Sequence, residues 1–111
     1  MAENGQWKQY GANVKIDPNV CYYCKCNLDD YSRTTDHLIP ESQGGIRSNS
    51  NKVPSCRDCN QLKGDMTPDE FLIAIGRMIH MQSKLHKKQI GWLKKLRINL
   101  KIIIDSKNQP R

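Results

Sequence analysis

Cys21-Tyr22-Tyr23-Cys24 at one end and Cys56-Arg57-Asp58-Cys59-Asn60-Gln61-Leu62-Lys63-Gly64 at the other enclose the stretch whose reading decides the fold. Each C-x2-C pair lets two thiolates approach one ion, and two such pairs complete a tetrahedral Zn2+ site. Iron–sulfur ligation and disulfides are the competing uses of the same cysteines, but paired C-x2-C spacing on a small basic chain favours zinc. Ligation by Cys21, Cys24, Cys56 and Cys59 leaves no open position, so this zinc is expected to be structural. The remaining cysteine, Cys26, stands at the less usual C-x-C spacing and reads as a free thiol.

Between the pairs, Arg33-Thr34-Thr35-Asp36-His37-Leu38-Ile39 is short and holds two β-branched threonines, which predicts a strand ended by Pro40. Ser42-Gln43-Gly44-Gly45 is a turn. Asn51-Lys52-Val53-Pro54 is a second extended piece, and Cys56 to Leu62 a helix stopped near Gly64. The order is strand, strand, helix, and the expected class is α+β. Residues 1–20 form a lead-in with Trp7 and Tyr10 as packing anchors, 21–64 a zinc-stapled core, and 65–111 a helical extension.

The whole chain has 111 residues, a formal net charge of +7 and 37% hydrophobic residues. That apolar fraction is below the ~45–50% of an average globular chain, and small domains of this kind often need a metal or disulfide. No apolar run approaches the ~20 residues of a membrane span. The opening Met1-Ala2-Glu3-Asn4-Gly5-Gln6 has no apolar signal core. These features point away from a membrane protein and from a secreted disulfide scaffold, toward the cytoplasm.

The charge is uneven. Residues 1–64 carry 8 Lys+Arg and 7 Asp+Glu, while 65–111 carry 10 and 4. Thr67-Pro68-Asp69-Glu70 opens the second part as a capping box with proline at the first helical position. No acidic residue lies between Glu70 and Asp105, a stretch holding Arg77, Lys84, Lys87, Lys88, Lys94, Lys95, Arg97 and Lys101. At a helical period all of these but Arg97 fall within a sector of about 140°. Phe71, Ile75, Met78, Ile79, Leu85, Trp92, Leu93, Leu96, Leu100 and Ile103 take the opposite side, so the segment is strongly amphipathic. As one helix it would be about 51 Å long at ~1.5 Å per residue. A fold-back between Lys84 and Gln89, or a kink at Gly91, serves equally. The basic face suits phosphates, whose neutralisation releases counterions. The apolar face is expected to pack on the core or to pair with a second copy.

Asp36-His37-Leu38-Ile39-Pro40, then Gly44-Gly45, then Asn51-Lys52-Val53-Pro54-Ser55-Cys56, then Cys59-Asn60-Gln61-Leu62-Lys63-Gly64 run in order between and through the cysteine pairs. This resembles the four-cysteine branch of the HNH nuclease family, whose ββα-metal signature reads roughly DH-x2-P, GG, N-x-V-P-x-C-x2-C-N-x2-K-G. The third motif letter is Asn60, an H-N-N form, and Lys25 stands where the first knuckle of such sites often has glycine. That departure bears on turn geometry rather than chemistry.

The residue types suit phosphodiester hydrolysis independently. Histidine exchanges a proton near neutral pH, as a general base must. Asp36 and Asn60 offer hard oxygens of the kind that hold Mg2+ or Mn2+. Adjacent strand residues point to opposite faces, so Asp36 and His37 reach one phosphate only if the strand twists or ends there. The resemblance implies that His37 activates water and that Asp36 and Asn60 hold one divalent ion. It implies that Asn51 braces the loop between the strands and orients His37. It also implies products with 5′-phosphate and 3′-hydroxyl ends.

Lys63 and Arg57 are expected on the helix surface near the DNA backbone, Lys63 joining Arg77, Lys84, Lys87, Lys88, Lys94, Lys95 and Lys101 as nucleic-acid contacts. His80 and His86 need no catalytic role. The expectation is a metal-dependent DNA endonuclease, similar to small phage, mobile-element and defence nucleases, with branched or nicked DNA among its candidate substrates. A non-catalytic zinc-ribbon nucleic-acid binder is the alternative, and a cationic amphipathic helix acting at membranes is a third reading.

Overall fold

Residues 14–81 and 87–106 are described in the computed structural model of the chain. Trp7, Tyr10, Lys84, Leu85 and His86 lie outside them. Strand β1 (Arg33–His37) pairs antiparallel with β2 (Lys52–Cys56), with Thr35 opposite Pro54 and His37 opposite Lys52. Helix α1 (Arg57–Lys63) follows directly and packs on both strands. The predicted strand–strand–helix order is therefore present, with β1 ending at His37 rather than Ile39. Pro54 is tolerated because a two-stranded sheet has only edge strands. Its carbonyl accepts from Tyr22 N–H at 2.8 Å, which docks the first cysteine pair on the sheet.

That first pair lies in a tight hairpin. Cys21 N–H bonds the Cys26 carbonyl at 2.9 Å, Lys25 N–H the Cys21 carbonyl at 3.0 Å, and Val20 bridges Asn27. Lys25 has a φ of 68°, the left-handed conformation that glycine adopts without strain. The departure noted at this position thus falls where the turn demands left-handed backbone.

Thr67 caps helix α2 (Pro68–His80) with the full capping box to Glu70 and proline at the first turn. Helix α3 (Lys87–Ser106) runs through Gly91 without a break. The extension is therefore a pair of helices packed on one another, not one long rod. Phe71, Ile75 and Ile79 meet Leu93, Leu96, Leu100 and Ile103 in one buried cluster that also takes in Tyr22, Tyr23, Leu38, Val53 and the buried cysteines. Asn99 donates to the Tyr23 carbonyl at 2.8 Å, tying α3 to the first knuckle. The apolar stripe is thus covered within the chain. Among the described residues no helix is long and apolar enough to cross a membrane.

Candidate active site and metal centre

The two cysteine pairs converge. The thiols of Cys21, Cys24, Cys26 and Cys56 all lie within 4.8 Å of one another. Cys24 and Cys56 sulfurs are 3.8 Å apart. A tetrahedron built on zinc–sulfur bonds of about 2.3 Å has an edge of about 3.8 Å, so the spacing fits such an ion. Backbone N–H groups of Cys24 and Cys59 point at the sulfurs of Cys21 and Cys56 at 3.5 and 3.4 Å, the same arrangement in both knuckles. The crowded thiols drive each other apart in acidity. Hydrogen bonding to Cys21 pulls Cys24 down and pushes Cys56 and Cys59 up. Cys59 is fully buried, and its backbone N–H points at the Cys56 sulfur. Cys26, expected to stand apart as a free thiol, is instead part of the group. The left-handed turn at Lys25 brings it back over the knuckle. Cys26 thus takes the place in this four-thiol group that was expected of Cys59, which is fully buried beside it in α1.

The opposite end of the sheet carries a different set. A cavity of about 280 Å3 is lined by Thr35, Asp36, His37, Pro40, Glu41, Ser42, Asn60, Gly64 and Asp65. Strand β1 ends at His37, and that termination is what lets Asp36 and His37 border one space. Asn60 comes from the middle of α1, where its side-chain amide donates to Thr34 Oγ1 at 2.9 Å. His37 is half-buried, its buried Nε2 has no hydrogen-bond partner among the described residues, and Glu41 Oε2 lies 3.8 Å away. Glu41 also receives Arg47 Nε at 3.1 Å.

Asn51 is fully buried and ends a short 3-10 turn (Asn49–Asn51) just before β2, rather than opening the extended piece as expected. Its Oδ1 accepts from Ile39 N–H at 3.0 Å, while Nδ2 donates to the carbonyls of Ile39 and Ile46 at 3.0 and 2.8 Å. The Asn51 carbonyl takes Leu38 N–H at 2.9 Å. One side chain therefore closes the loop that follows His37. The glycines fit the same loop. Gly44 has a φ of 91°, and a Cβ on Gly45 would sit 1.7 Å from the Ile39 carbonyl oxygen.

Lys63 does not lie on the surface as expected for a phosphate contact. It is 1% exposed. The last turn of α1 faces β1, and its amine sits 3.0 Å from Asp36 Oδ2 and donates to the His37 carbonyl at 2.9 Å. Burial lowers its pKa, an effect that the Asp36 carboxylate opposes. Tyr23 Oη also donates to Asp36 Oδ2, and burial together with that carboxylate holds its phenol well above the usual range. The other proposed nucleic-acid contacts among the described residues, Arg77, Lys87, Lys88, Lys94, Lys95 and Lys101, are all exposed, as is Arg57. Glu41 and Asp65 at the cavity, and Tyr23 behind Asp36, were missed in the sequence. Glu41 follows His37 by four positions, and Asp65 follows the helix-ending glycine; no periodic signal marks either.

A two-stranded antiparallel sheet with a helix behind it, a thiol cluster at one end and an Asp–His–Asn cavity at the other, defines a small α+β domain of the ββα-metal class with a helical C-terminal extension. Residues 21–74 match the HNH endonuclease family model. The match runs past Gly64 into α2, through Phe71, whose ring packs edge-on against Tyr23 at 5.8 Å. The chain is also similar to the Septu protein PtuB of Bacillus thuringiensis, 33% identical over 57 residues. Those residues are 48% of this chain and 22% of that protein, so the chain spans less than a quarter of its relative's length.

Proposed function

We propose that the chain is a metal-dependent DNA endonuclease in which His37 is the general base. The observation that carries this reading is the cavity at the end of β1, shared by Asp36, His37 and Asn60, with the imidazole Nε2 making no hydrogen bond among the described residues. Asp36 and Asn60 would hold one divalent ion, Mg2+ or Mn2+. Their hard oxygens, with Glu41 and Asp65 on the same wall, suit such an ion and do not suit a softer one. Bound there, the ion would supply Lewis-acid stabilisation of the scissile phosphate and the leaving oxygen.

The protein's own residues do the rest. The imidazole takes the proton of the attacking water at Nε2. The water then adds to phosphorus on the side away from the 3′ oxygen. The bond to that oxygen breaks, the departing 3′ oxygen takes a proton from solvent water, and 5′-phosphate and 3′-hydroxyl ends remain. Glu41 lies close enough to His37 to stabilise the imidazolium that forms. Asn51 keeps the loop after His37 closed, and so fixes where the imidazole points.

In this reading the thiol cluster holds zinc and is structural, with Cys21, Cys24, Cys56 and Cys59 as ligands. Arg77, Lys84, Lys87, Lys88, Lys94, Lys95 and Lys101 bind the DNA backbone, and such contacts position rather than specify. The reduced thiols suit the cytoplasm. A homodimer through the extension would use what the covered stripe leaves exposed, Ile73 and Met81 beside Ile98 and Ile102.

Incubating the zinc-loaded chain with supercoiled plasmid tests the reading. Nicked or linear product with Mg2+ or Mn2+, abolished by EDTA and carrying 5′-phosphate ends, is the expected result. Tight DNA binding with no cleavage under any divalent ion would favour the zinc-ribbon binder. Binding to anionic vesicles but not to DNA would favour the membrane reading.

A further inference from the structure

The buried ion pair at the cavity has no evident purpose as a stabilising element. Taking a lysine and a carboxylate out of water costs more than their attraction commonly returns, and apolar residues of similar volume often serve stability as well or better. Yet Lys63 and Tyr23 both converge on one oxygen of Asp36. Lys63 Nζ lies 3.0 Å from Oδ2, and Tyr23 Oη donates to the same atom. Among the described residues no hydrogen bond is made to Oδ1, and Asp36 lines the cavity. Lys63 spends a second donor on the His37 carbonyl at 2.9 Å, so a single amine grips the backbone of the base and the side chain of the neighbouring ligand. Tyr23 is itself immobilised. Its ring is fully buried between Tyr22 and Phe71, at 5.6 and 5.8 Å in edge-to-face contacts, and its backbone carbonyl is held by Asn99 of α3.

We infer that Lys63 and Tyr23 are positioning residues that clamp Asp36 by Oδ2, leaving Oδ1 as its single ligand oxygen for the divalent ion. This rests on the reading of Asp36 as an ion ligand. Held this way, Asp36 cannot swing to chelate with both oxygens, and its negative charge is partly offset before the ion arrives. The clamp also explains how the helical extension bears on the site. Helices α2 and α3 supply Phe71 and Asn99, which fix Tyr23, which fixes the carboxylate.

The test is a titration of Mn2+ into the zinc-loaded chain without DNA, with free Mn2+ followed by electron paramagnetic resonance. The variants are Tyr23→Phe, Lys63→Met and Asp36→Ala. Residues that orient a metal ligand typically change affinity by about 10–100-fold when removed. Tyr23→Phe removes one oxygen and leaves the packed ring, so zinc content and far-UV circular dichroism are expected to stay as in wild type while the Mn2+ dissociation constant rises about tenfold. Lys63→Met is expected to weaken Mn2+ at least as much, and where it fails to fold Tyr23→Phe decides alone.

In plasmid cleavage, Tyr23→Phe should raise the half-saturating Mn2+ concentration and recover most of its maximal rate at saturating Mn2+, a split that a general loss of folding would not give. Unchanged or tighter Mn2+ binding in Tyr23→Phe, alongside weakened binding in Asp36→Ala, overturns the clamp and leaves the ligand assignment standing. Binding by Asp36→Ala equal to that of wild type removes Asp36 from the ligand set and overturns both.

Discussion

The two ends of the β1–β2 hairpin hold opposite kinds of donor set. At the thiol end the donors are soft, mostly buried and supplied by the two knuckles, whose backbone N–H groups point at the sulfurs. At the cavity end they are oxygens and an imidazole, half-open, and steadied by residues that belong to neither metal site. With zinc bound as proposed, four thiols would fill every position, and the thiol end could only hold the chain together. The cavity end keeps room for water and phosphate and so can do chemistry. The same short hairpin and helix position both sets, which means that a fault at the first should destroy the second, whereas a fault at the second should leave the first intact.

Removal of the thiol-bound metal is the largest break in that comparison. Structural zinc in small domains contributes on the order of 10 kcal/mol to folding. Chelation should abolish the cooperative thermal transition and all nuclease activity, with both restored on adding zinc back. Persistence of the transition after complete zinc removal would show that the apolar cluster suffices alone. Next is Asn51→Ala, which strips three hydrogen bonds from buried or part-buried backbone groups of Ile39 and Ile46. It should cost about 3 kcal/mol by denaturant unfolding and lower cleavage strongly while zinc stays bound.

The identity of the fourth thiol sharpens the comparison further. Cys59→Ser is expected to weaken zinc and Cys26→Ser to leave it stoichiometric in a competition assay. The reverse ranking would move Cys26 into the ligand set and leave Cys59 as packing.

Much of this arrangement was legible in the sequence. The order of strands and helix, the stop at Gly64 and the capping box at Thr67 all follow from local rules, because each signal and its effect lie within a few residues. What escaped depends on distance. Lys63 looks like an ordinary surface lysine at the end of a helix, and only the approach of Asp36, 27 positions earlier, makes its burial tolerable. Tyr23 reads as filler between two cysteines until its hydroxyl meets the same carboxylate. Cys26 has an unusual spacing that a flat reading discounts, but one left-handed residue returns it to the cluster. The C-terminal periodicity showed where the apolar face runs but not what covers it, since the same stripe serves a hairpin, a long rod or a dimer.

A smaller effect tests the seam between core and extension. Thr67→Ala removes the cap of α2 and should cost about 1 kcal/mol, read as a lower melting temperature, with zinc content unchanged. Its partner Glu70 has a lowered pKa, chiefly through its hydrogen bond from Gln43 and then that from Thr67 N–H. A carboxylate held below its usual range stabilises the fold above the ordinary pKa of 4.5, and this contribution fades as pH falls through the lowered value. Glu70→Gln should therefore differ from wild type at neutral pH and converge toward it in acid, whereas the Thr67→Ala deficit, the loss of an uncharged hydroxyl cap, should persist at both.

The claim at the centre is that the cavity end is catalytic and the thiol end is not. Its most direct test is plasmid cleavage by His37→Ala beside wild type, in Mn2+, with zinc content and the melting transition measured on the same samples. The account predicts a loss of cleavage by about 100-fold or more, the scale of a missing general base, with zinc and stability unchanged. Cleavage by His37→Ala at the wild-type rate would contradict it.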